Sequence, residues 1–391
     1  MRANAATKWK ATALAGALWI RMALTAASAA AADPAWHVSP SFTDPETGRQ
    51  FYNAYTWKDG PLYGRAMVYT DADGWAALPA EYREIRQGYG AAGAVFVMKN
   101  GVYNNEFQQA LYDPAADEVT VTRVYEPSPN GRFGVAQLTS YSGGNGVGKS
   151  HTLFVKNYGN GEVREVYDSW KYMIHHWLPD GRLLLQRYNE TEKQNEIVSY
   201  DPAKDVMKRI ALASLHAYDV ENSALLIAYN EPARKPHLLD LATGKVRAAT
   251  QEDVDGIYER RAGAPRAFDV PPARSPDADP DDLPVIGVKE TTVFEATAKV
   301  NGENVALPYA FRKGESTWVP IRTLVDQFGW EVAKRSTYIY DIVIDGKKHT
   351  LDRDNSRVMS DRLHMTLEQL RSIGVRIEQF EWIPLENAIF D

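Results

Sequence analysis

The chain has 391 residues, 44% of them hydrophobic, and a formal net charge of −7 at pH 7. This length and apolar content suit two domains that each bury a core. The sequence contains no cysteine, which excludes disulfide bonds, thiolate metal ligands, a cysteine nucleophile and a lipid-anchor cysteine.

Residues 1–32 have the order of features of a secretory signal peptide. Basic residues precede an apolar stretch, and the small residues at 27–32 supply a cleavage pattern. Cleavage would remove four positive charges and no acidic residue, which takes the net charge from −7 to −11. An acidic chain of this kind argues against a nucleic-acid partner and against an anionic membrane surface.

The alternative is an uncleaved membrane anchor over residues 11–32. Arg21 disfavours it, because an arginine at the centre of a span costs about 2.5–3.5 kcal/mol on insertion scales. We therefore expect an exported protein, secreted or associated with the cell surface, with no membrane insertion after signal cleavage.

Residues 33–261 contain an internal repeat. Turn-like segments that each join two strand-like runs lie at 112–119, 156–163, 200–207 and 239–246. A second element, in which a turn leads into an apolar strand, lies at 128–137, 178–186 and 219–229. A strand, a tight turn and a second strand predict a hairpin. Each period of about 40–44 residues thus holds four short strands, the content of a β-propeller blade.

The segment SPNGRFGVAQLTSYSGGNGVGKSHTLFVKNYGNGEVREVY, which begins at Ser128, resembles TolB-type propeller repeats. The likeness covers roughly residues 91–250, whereas residues 35–90 show strand-like pieces without a clean repeat. It implies a mainly β fold in which residues 33–261 form a β-propeller-like domain of about five blades. Propellers gather variable loops on one face, which suits binding.

Residues 262–287 are rich in proline, alanine and aspartate and predict a semi-rigid linker. The remaining residues, 288–391, predict a small α+β domain. An Asn301-Gly302 turn indicates a hairpin, and Asp345-Gly346 indicates another. A first helix is expected between Pro320 and Gly329, following the usual placement of proline at the start and glycine at the end.

A second helix is expected to begin at Thr366. Thr366 and Gln369 have the spacing of a capping box, and Gly374 is the expected C-cap. The segment Trp382-Ile383-Pro384-Leu385 repeats the pattern of Trp318-Val319-Pro320-Ile321, which indicates two related halves.

The segments VNGENVALP at 300–308, STWVPIRTLVDQFGWEV at 316–332 and DIVIDGKKHTL at 341–351 resemble the N-terminal stalk domain of copper amine oxidases. In that family the stalk domain carries neither copper nor catalytic residues. The resemblance therefore implies an accessory module in residues 288–391, not an oxidase.

Three motifs suggest chemistry, and each has a simpler explanation. The segment 143–150 matches the P-loop pattern, but a strand is expected after it where nucleotide binding needs a helix. His175 and His176 are adjacent on a strand and so point to opposite faces, with one expected in the core and one at the surface. The segment 70–75 has part of a calcium-loop pattern with the wrong first and last ligands, which indicates a turn.

Aromatic residues in the first region could stack on sugars or pack between blades, and Trp57, Trp75, Trp170 and Trp177 are the candidates. No pattern singles out a catalytic, cofactor-binding or metal-binding residue, and we expect no cofactor. The sequence favours an exported binding or scaffolding protein whose partner is a cell-wall glycan or a surface protein. The alternatives are a propeller-based glycan hydrolase or lyase, and a membrane-tethered sensor or assembly factor.

Overall fold

The structure is a computed structural model that describes residues 36–57, 62–86, 95–100, 107–141, 149–169, 174–230, 235–263, 269–336, 339–359 and 362–384. The chain from Trp36 onward belongs to one compact unit. The signal peptide predicted at residues 1–32, like the alternative anchor at 11–32, lies outside the described residues.

The fold is mainly β. In the described part of the first region, five antiparallel units of four strands, here called the first to fifth sheets, follow one another as in a propeller, and later strands extend the second and third. The first sheet contains β1 (His37–Thr43), β2 (Gln50–Trp57), β3 (Leu62–Thr70) and β4 (Gly74–Ala77). The second contains β5 (Tyr82–Arg86), β6 (Val95–Asn100), β7 (Phe107–Asp113) and β8 (Glu118–Val121). The third contains β9 (Glu126–Pro127), β10 (Phe133–Tyr141), β11 (Lys149–Asn157) and β12 (Val163–Ser169).

The fourth and fifth sheets continue the same up-and-down order. The fourth contains β13 (Ile174–Trp177), β14 (Leu183–Asn189), β15 (Gln194–Asp201) and β16 (Val206–Ala211). The fifth contains β17 (Ser214–Asp219), β18 (Ala224–Ala228), β19 (Pro236–Asp240) and β20 (Val246–Ala248).

The repeats found in the sequence mark equivalent places in these sheets. The four turn-like segments join the third and fourth strands of sheets two to five, and the second element joins the first and second strands of sheets three to five. The first sheet, which the repeat did not reveal, has its own third-to-fourth turn at residues 71–73. The predicted hairpins are therefore confirmed.

The first and second sheets pack face to face, as do the third and fourth and the fourth and fifth. A strand can pack on both sides because its alternate residues point to opposite faces. In β14, Leu183 and Leu185 pack on the third sheet, whereas Leu184 packs on the fifth. In β11, Leu153 faces the fourth sheet and Phe154 faces the C-terminal region. The third and fourth sheets thus each contribute to two cores.

The two end sheets are covered by segments that follow them in the chain. Helix α1 (Gln251–Gly263) packs Ile257 against Ala217 and Leu226 on the outer face of the fifth sheet. The sequence did not predict this helix, which extends to the start of the predicted linker. Leu283 packs against the outer face of the first sheet, beside Tyr52.

The segment predicted as a linker at 262–287 follows the first sheet closely from Asp269 onward. The Thr43 amide donates to the Asp269 carbonyl at 2.7 Å, and the Arg65 guanidinium donates to Asp281 at 2.7 Å. The chain then pairs with the second sheet as β21 (Lys289–Thr292), which runs parallel to β8. Backbone pairing and an ion pair therefore hold this segment, while the assignment of separate domains stays a prediction.

The C-terminal region is an α+β arrangement around a single core. Its elements are β22 (Ala296–Val300), β23 (Glu303–Leu307), β24 (Phe311–Lys313), β25 (Ser316–Pro320), α2 (Ile321–Phe328), β26 (Glu331–Ser336), β27 (Ile339–Ile344), β28 (Lys347–Leu351), β29 (Arg357–Met359), β30 (Arg362–Thr366), α3 (Leu367–Ser372) and β31 (Ile377–Trp382). β22, β23 and β31 form one three-stranded sheet, and β26, β27 and β28 form another. Both helices pack on this core, which includes Leu324 and Leu370.

The predicted helix boundaries are confirmed at three of four ends. Pro320 is the N-cap of α2, and Gly329 ends it with a left-handed φ of 65°. Thr366 caps α3 in a full capping box with Gln369. The C-cap of α3 is Ile373, and the predicted Gly374 follows it with φ 98°. The shift of one residue places glycine where the left-handed conformation is required.

Candidate functional site

The third sheet and the C-terminal region share one continuous sheet. Arg164 of β12 pairs with Arg312 of β24 in parallel, and the strand order is β29, β30, β25, β24, β12, β11, β10, β9. Phe311 and Trp318 extend the apolar face that Phe154 begins in the third sheet. This junction therefore fixes the C-terminal strands against the third sheet.

Ion pairs that involve buried carboxylates strengthen the junction. The Glu165 side chain is 2% exposed, and it accepts from Lys313 at 2.8 Å and from Arg357 at 2.5 Å. Arg357 also pairs with Asp168. A buried carboxylate is tolerated when its oxygens are paired and hydrogen-bonded, so these two cations offset the cost of burying Glu165.

A second ion pair lies deeper at the same junction. Lys156 contacts Glu295 at 3.1 Å, and the two side chains are only 3% and 4% exposed. The Tyr125 hydroxyl donates to Glu295 at 3.0 Å and accepts from Arg123 at 3.2 Å. A single carboxylate thus lies close to two buried cations.

An open cleft of about 360 Å³ lies on the outer side of this junction. We call it the junction cleft, and its lining residues are Lys313, Trp318, Tyr340, Asp352, Arg353, Ser356, Arg357 and Val358. The volume falls in the range of small-ligand sites, which combine apolar or aromatic walls with a few oriented polar groups.

Trp318 is the aromatic wall of the cleft, and it is held from behind. Its ring is parallel to that of Phe311, with 3° between the planes and 6.2 Å between the centroids. Phe311 is fully buried and meets Phe154 edge to face at 5.4 Å. Because Trp318 is half-buried and also lines the cleft, the stack supports a fixed aromatic surface that a ligand can reach.

The polar rim of the cleft is a loop that side chains hold in shape. Asp352 accepts the backbone amides of Asp354 at 2.9 Å and Asn355 at 3.3 Å. The Ser356 hydroxyl donates to the Asp352 carbonyl at 2.6 Å, and the Asn355 amide donates to the Thr350 carbonyl at 3.0 Å. These bonds form a local turn network that orients the rim before any ligand arrives.

His364 lies beneath the aromatic stack, 5.5 Å from the Phe311 ring, and is 1% exposed. Burial, aided by the charges of Arg362, Arg123 and Arg357, lowers the pKa of His364 to about 3. Its Nδ1 lies 2.9 Å from the Arg362 carbonyl oxygen, which a neutral Nδ1–H tautomer would satisfy. The imidazole therefore adds no charge at neutral pH.

The motifs that the sequence singled out do not contribute to this cleft. Residues 143–148 of the P-loop-like segment lie outside the described residues, and β11, which follows them, is the expected strand. The segment 70–75 forms the expected turn, in which the Thr70 hydroxyl bonds Asp73 at 3.2 Å. In the described ranges no group of three or more His, Asp or Glu residues could hold a metal ion.

The two adjacent histidines face opposite sides of the fourth sheet, as predicted. His175 lies 3.7 Å from Glu126 of the third sheet, and the ring of His176 lies 6.0 Å from that of Tyr218 in the fifth. The expectation that one of them would be exposed is wrong, because both are half-buried between sheets.

Of the candidate tryptophans that the structure describes, Trp177 packs between the third and fourth sheets and Trp75 packs on the outer face of the first sheet. Trp177 is 9% exposed and donates to the Glu126 carbonyl at 3.0 Å, and Trp75 packs on Tyr52. Trp170 and the side chain of Trp57 lie outside the described residues. The sequence did not single out Trp318, which lines the junction cleft, although its place opposite Phe311 in a short hairpin indicates an aromatic pair.

A larger groove of about 1320 Å³ lies between α1 and the fifth sheet. Its three basic residues are Lys245, Arg247 and Arg260. Arg260 pairs with Asp219 at 2.5 Å and Arg247 with Asp253 at 2.6 Å. These charged groups hold α1 on the sheet, so we assign them a structural role.

Comparison with known proteins yields structural neighbours only. No protein-family model matches the chain, and no curated protein matches it. TolB from Acinetobacter baumannii is 14% identical with a TM-score of 0.32, and the match covers 88% of this chain and 66% of TolB. The chain therefore spans just under two thirds of that neighbour's length.

Two further neighbours are enzymes or parts of enzymes. The β-propeller domain of the Trilobed protease from Pyrococcus furiosus is 10% identical with a TM-score of 0.36, and 82% of this chain and 86% of that one are covered. An oligogalacturonate lyase in complex with manganese is 11% identical with a TM-score of 0.25, with 57% and 87% covered. Similarity this low leaves the function to be argued from the chain's own residues.

Among the described helices, none combines the length and the apolar character needed to cross a bilayer.

Proposed function

We propose that the chain is an exported, non-catalytic protein of the cell envelope or extracellular space that binds a glycan in the junction cleft. The observation that carries the proposal is the Trp318 side chain, whose ring stacks on Phe311 and which lines the cleft. The relation of residues 288–391 to the stalk domain of copper amine oxidases is part of the same proposal and is consistent with an accessory role.

Sugar rings combine an apolar face of C–H groups with hydroxyl groups around the edge. A flat aromatic side chain offers a large apolar contact for such a face at little conformational cost. The Asp352 carboxylate and the Arg353 guanidinium lie at the rim of the same cleft, where they can bond the hydroxyl groups. A volume of about 360 Å³ suits one or two sugar units.

The carboxylates near the cleft favour binding over hydrolysis. Glycosidases use two carboxyl groups on either side of the scissile bond, about 5–9.5 Å apart. Among the described residues that line the cleft Asp352 alone carries a carboxylate, and it holds the rim loop. Glu165 and Asp168 are committed to Arg357.

The test measures binding of the full mature chain to insoluble cell wall and to soluble oligosaccharides. We expect Trp318→Ala to weaken binding by about 10-fold or more, since burying one large aromatic face contributes about 1.5–3 kcal/mol. Tyr340→Ala is the second variant. Trp75→Ala in the first sheet is the matched control, because it removes a half-buried tryptophan remote from the cleft.

Thermal unfolding of each variant separates lost binding from lost folding. If Trp318→Ala and Tyr340→Ala remain folded and bind as the wild type does, the cleft is not the binding site. N-terminal sequencing of exported protein tests the localisation, and a start between Ala30 and Asp33 is expected. An intact N-terminus would favour the membrane-tethered alternative.

A further inference from the structure

We infer that the glycan bound in the junction cleft carries an anionic group, a carboxylate or a phosphate. This inference rests on the proposed function and adds the chemical class of the ligand. Three of the eight lining residues are basic, and one is acidic. The positions of these charges favour an anionic ligand.

Lys313 reaches the cleft with unused hydrogen-bonding capacity. Its ammonium group has three donors, and Glu165 accepts at 2.8 Å. The Lys313 side chain is 49% exposed, so donors remain available to a ligand. The contact with Glu165 fixes where the charge lies, which reduces the entropy lost when a ligand binds.

Arg357 is positioned in the same way. Nη1 donates to Glu165 and Nη2 donates to Asp168, which uses two of the five N–H donors of the guanidinium. The Arg357 side chain is 19% exposed and lines the cleft. Two adjacent cations are thus held at the wall by carboxylates of the third sheet.

The compensating carboxylates do not line the cleft themselves. Glu165 is 2% exposed and Asp168 is 31% exposed, and both belong to β12 and are absent from the lining. A ligand therefore meets the cations Lys313 and Arg357 first. Asp352, the acidic lining residue, accepts two backbone amides, which offset part of its charge.

A charge-assisted hydrogen bond contributes more than a neutral one, so an anionic group should bind more tightly than a hydroxyl at this wall. Carboxylates of uronic acids and phosphates of phosphodiester polymers share this chemistry. The experiment must therefore first compare binding of a charged glycan with that of an uncharged one. It must then compare a carboxylate with a phosphate.

The matched probes are cellohexaose and a hexamer of β-1,4-linked glucuronate, which share their linkage and differ in the carboxylate at C6. Calorimetry with the full mature chain at 50 mM NaCl should show at least about 10-fold tighter binding of the glucuronate hexamer. The difference should shrink as NaCl rises to 500 mM, because salt screens accessible charges. Poly(glycerol phosphate) is the third probe, and tighter binding than the glucuronate hexamer would assign the group as phosphate.

Lys313→Gln should lower the ratio of the two affinities, glucuronate hexamer over cellohexaose, because it removes one of the two cations at the wall. Lys347→Gln, at the far end of the β27–β28 hairpin, is the control and should preserve the preference. Equal affinity for the two hexamers in the wild type would overturn this inference and leave glycan binding intact. If the wild type binds none of the three probes and does not bind insoluble cell wall, the proposed function itself is overturned.

Discussion

Neutralising Glu295 should destabilise the protein far more than neutralising an exposed carboxylate. In the variant Glu295→Gln, Lys156 keeps its charge in a site where its side chain is 3% exposed, and the ion pair at 3.1 Å is lost. Arg123 is also buried, at 2% exposed, and the Tyr125 hydroxyl links it to Glu295. The substitution therefore also removes the carboxylate charge near Arg123. Two buried cations then remain without an anion.

Removing one partner of a buried ion pair typically costs about 3–5 kcal/mol. The glutamine oxygen can still accept from the Tyr125 hydroxyl, which places the expected loss at the lower end, about 3 kcal/mol. For a chain of this size that corresponds to a fall in Tm of about 4 °C. The double variant Glu295→Gln/Lys156→Met should regain much of the loss, since it removes the unpaired ammonium.

Urea and thermal unfolding, followed by tryptophan fluorescence, measure these differences. The control is Glu378→Gln, which breaks a pair with Lys299 at 3.2 Å where the side chains are 30% and 41% exposed. Such an exposed pair should contribute less than about 1 kcal/mol. Equal effects of Glu295→Gln and Glu378→Gln would refute the reasoning from burial, as would a double variant no more stable than the single one.

Two further predictions concern the pH dependence of stability and the close packing around one glycine. Because the folded-state pKa of His364 is about 3 against 6.5 when unfolded, stability should fall as pH drops from 6.5 towards 3, by about 2 kcal/mol at pH 5. His364→Gln should lose that part of the dependence in urea unfolding at pH 7 and 5. Gly161 has φ 76°, and an added Cβ would lie 2.3 Å from the Ile383 carbonyl. Gly161→Ala should therefore lower the Tm more than Gly48→Ala, which has φ 70° and no atom within 4 Å, and equal shifts would contradict the close approach.

The repeats were readable in the sequence because each depends on a few neighbouring residues. Asp117 and Asp205 adopt left-handed φ values of 53° and 55° in equivalent turns of the second and fourth sheets. Local turn chemistry of this kind sets the hairpin whatever the rest of the chain does. The first sheet lacked a matching partner segment, so its turn at 71–73 was recognised only as an isolated turn.

Helix α1 was missed because one residue, Ile257, carries most of its buried surface, and the apolar periodicity is weak. Its start did have a local signal, since Thr250 and Asp253 bond each other at 2.8 Å in a capping arrangement. This capping pattern alone, without any apolar periodicity, indicates the start of α1.

The junction cleft depends on contacts that local patterns do not specify. The hairpin register does place Phe311 opposite Trp318. Tyr340 comes from the β27–β28 hairpin, the loop at 352–357 connects that hairpin to β29, and Glu165 comes from the third sheet. Only tertiary packing brings these three segments together, so no spacing in the sequence could have indicated the site.

The covering of the first sheet by Leu283 also has a consequence for the order of folding. Tyr52 and Met67 pack against Leu283, which is synthesised more than 200 residues after them. At about 5–20 residues per second, translation would leave that face open to water for about 10–40 s. Folding from a complete, translocated chain would avoid this delay, and the first sheet to be synthesised would be among the last to be finished.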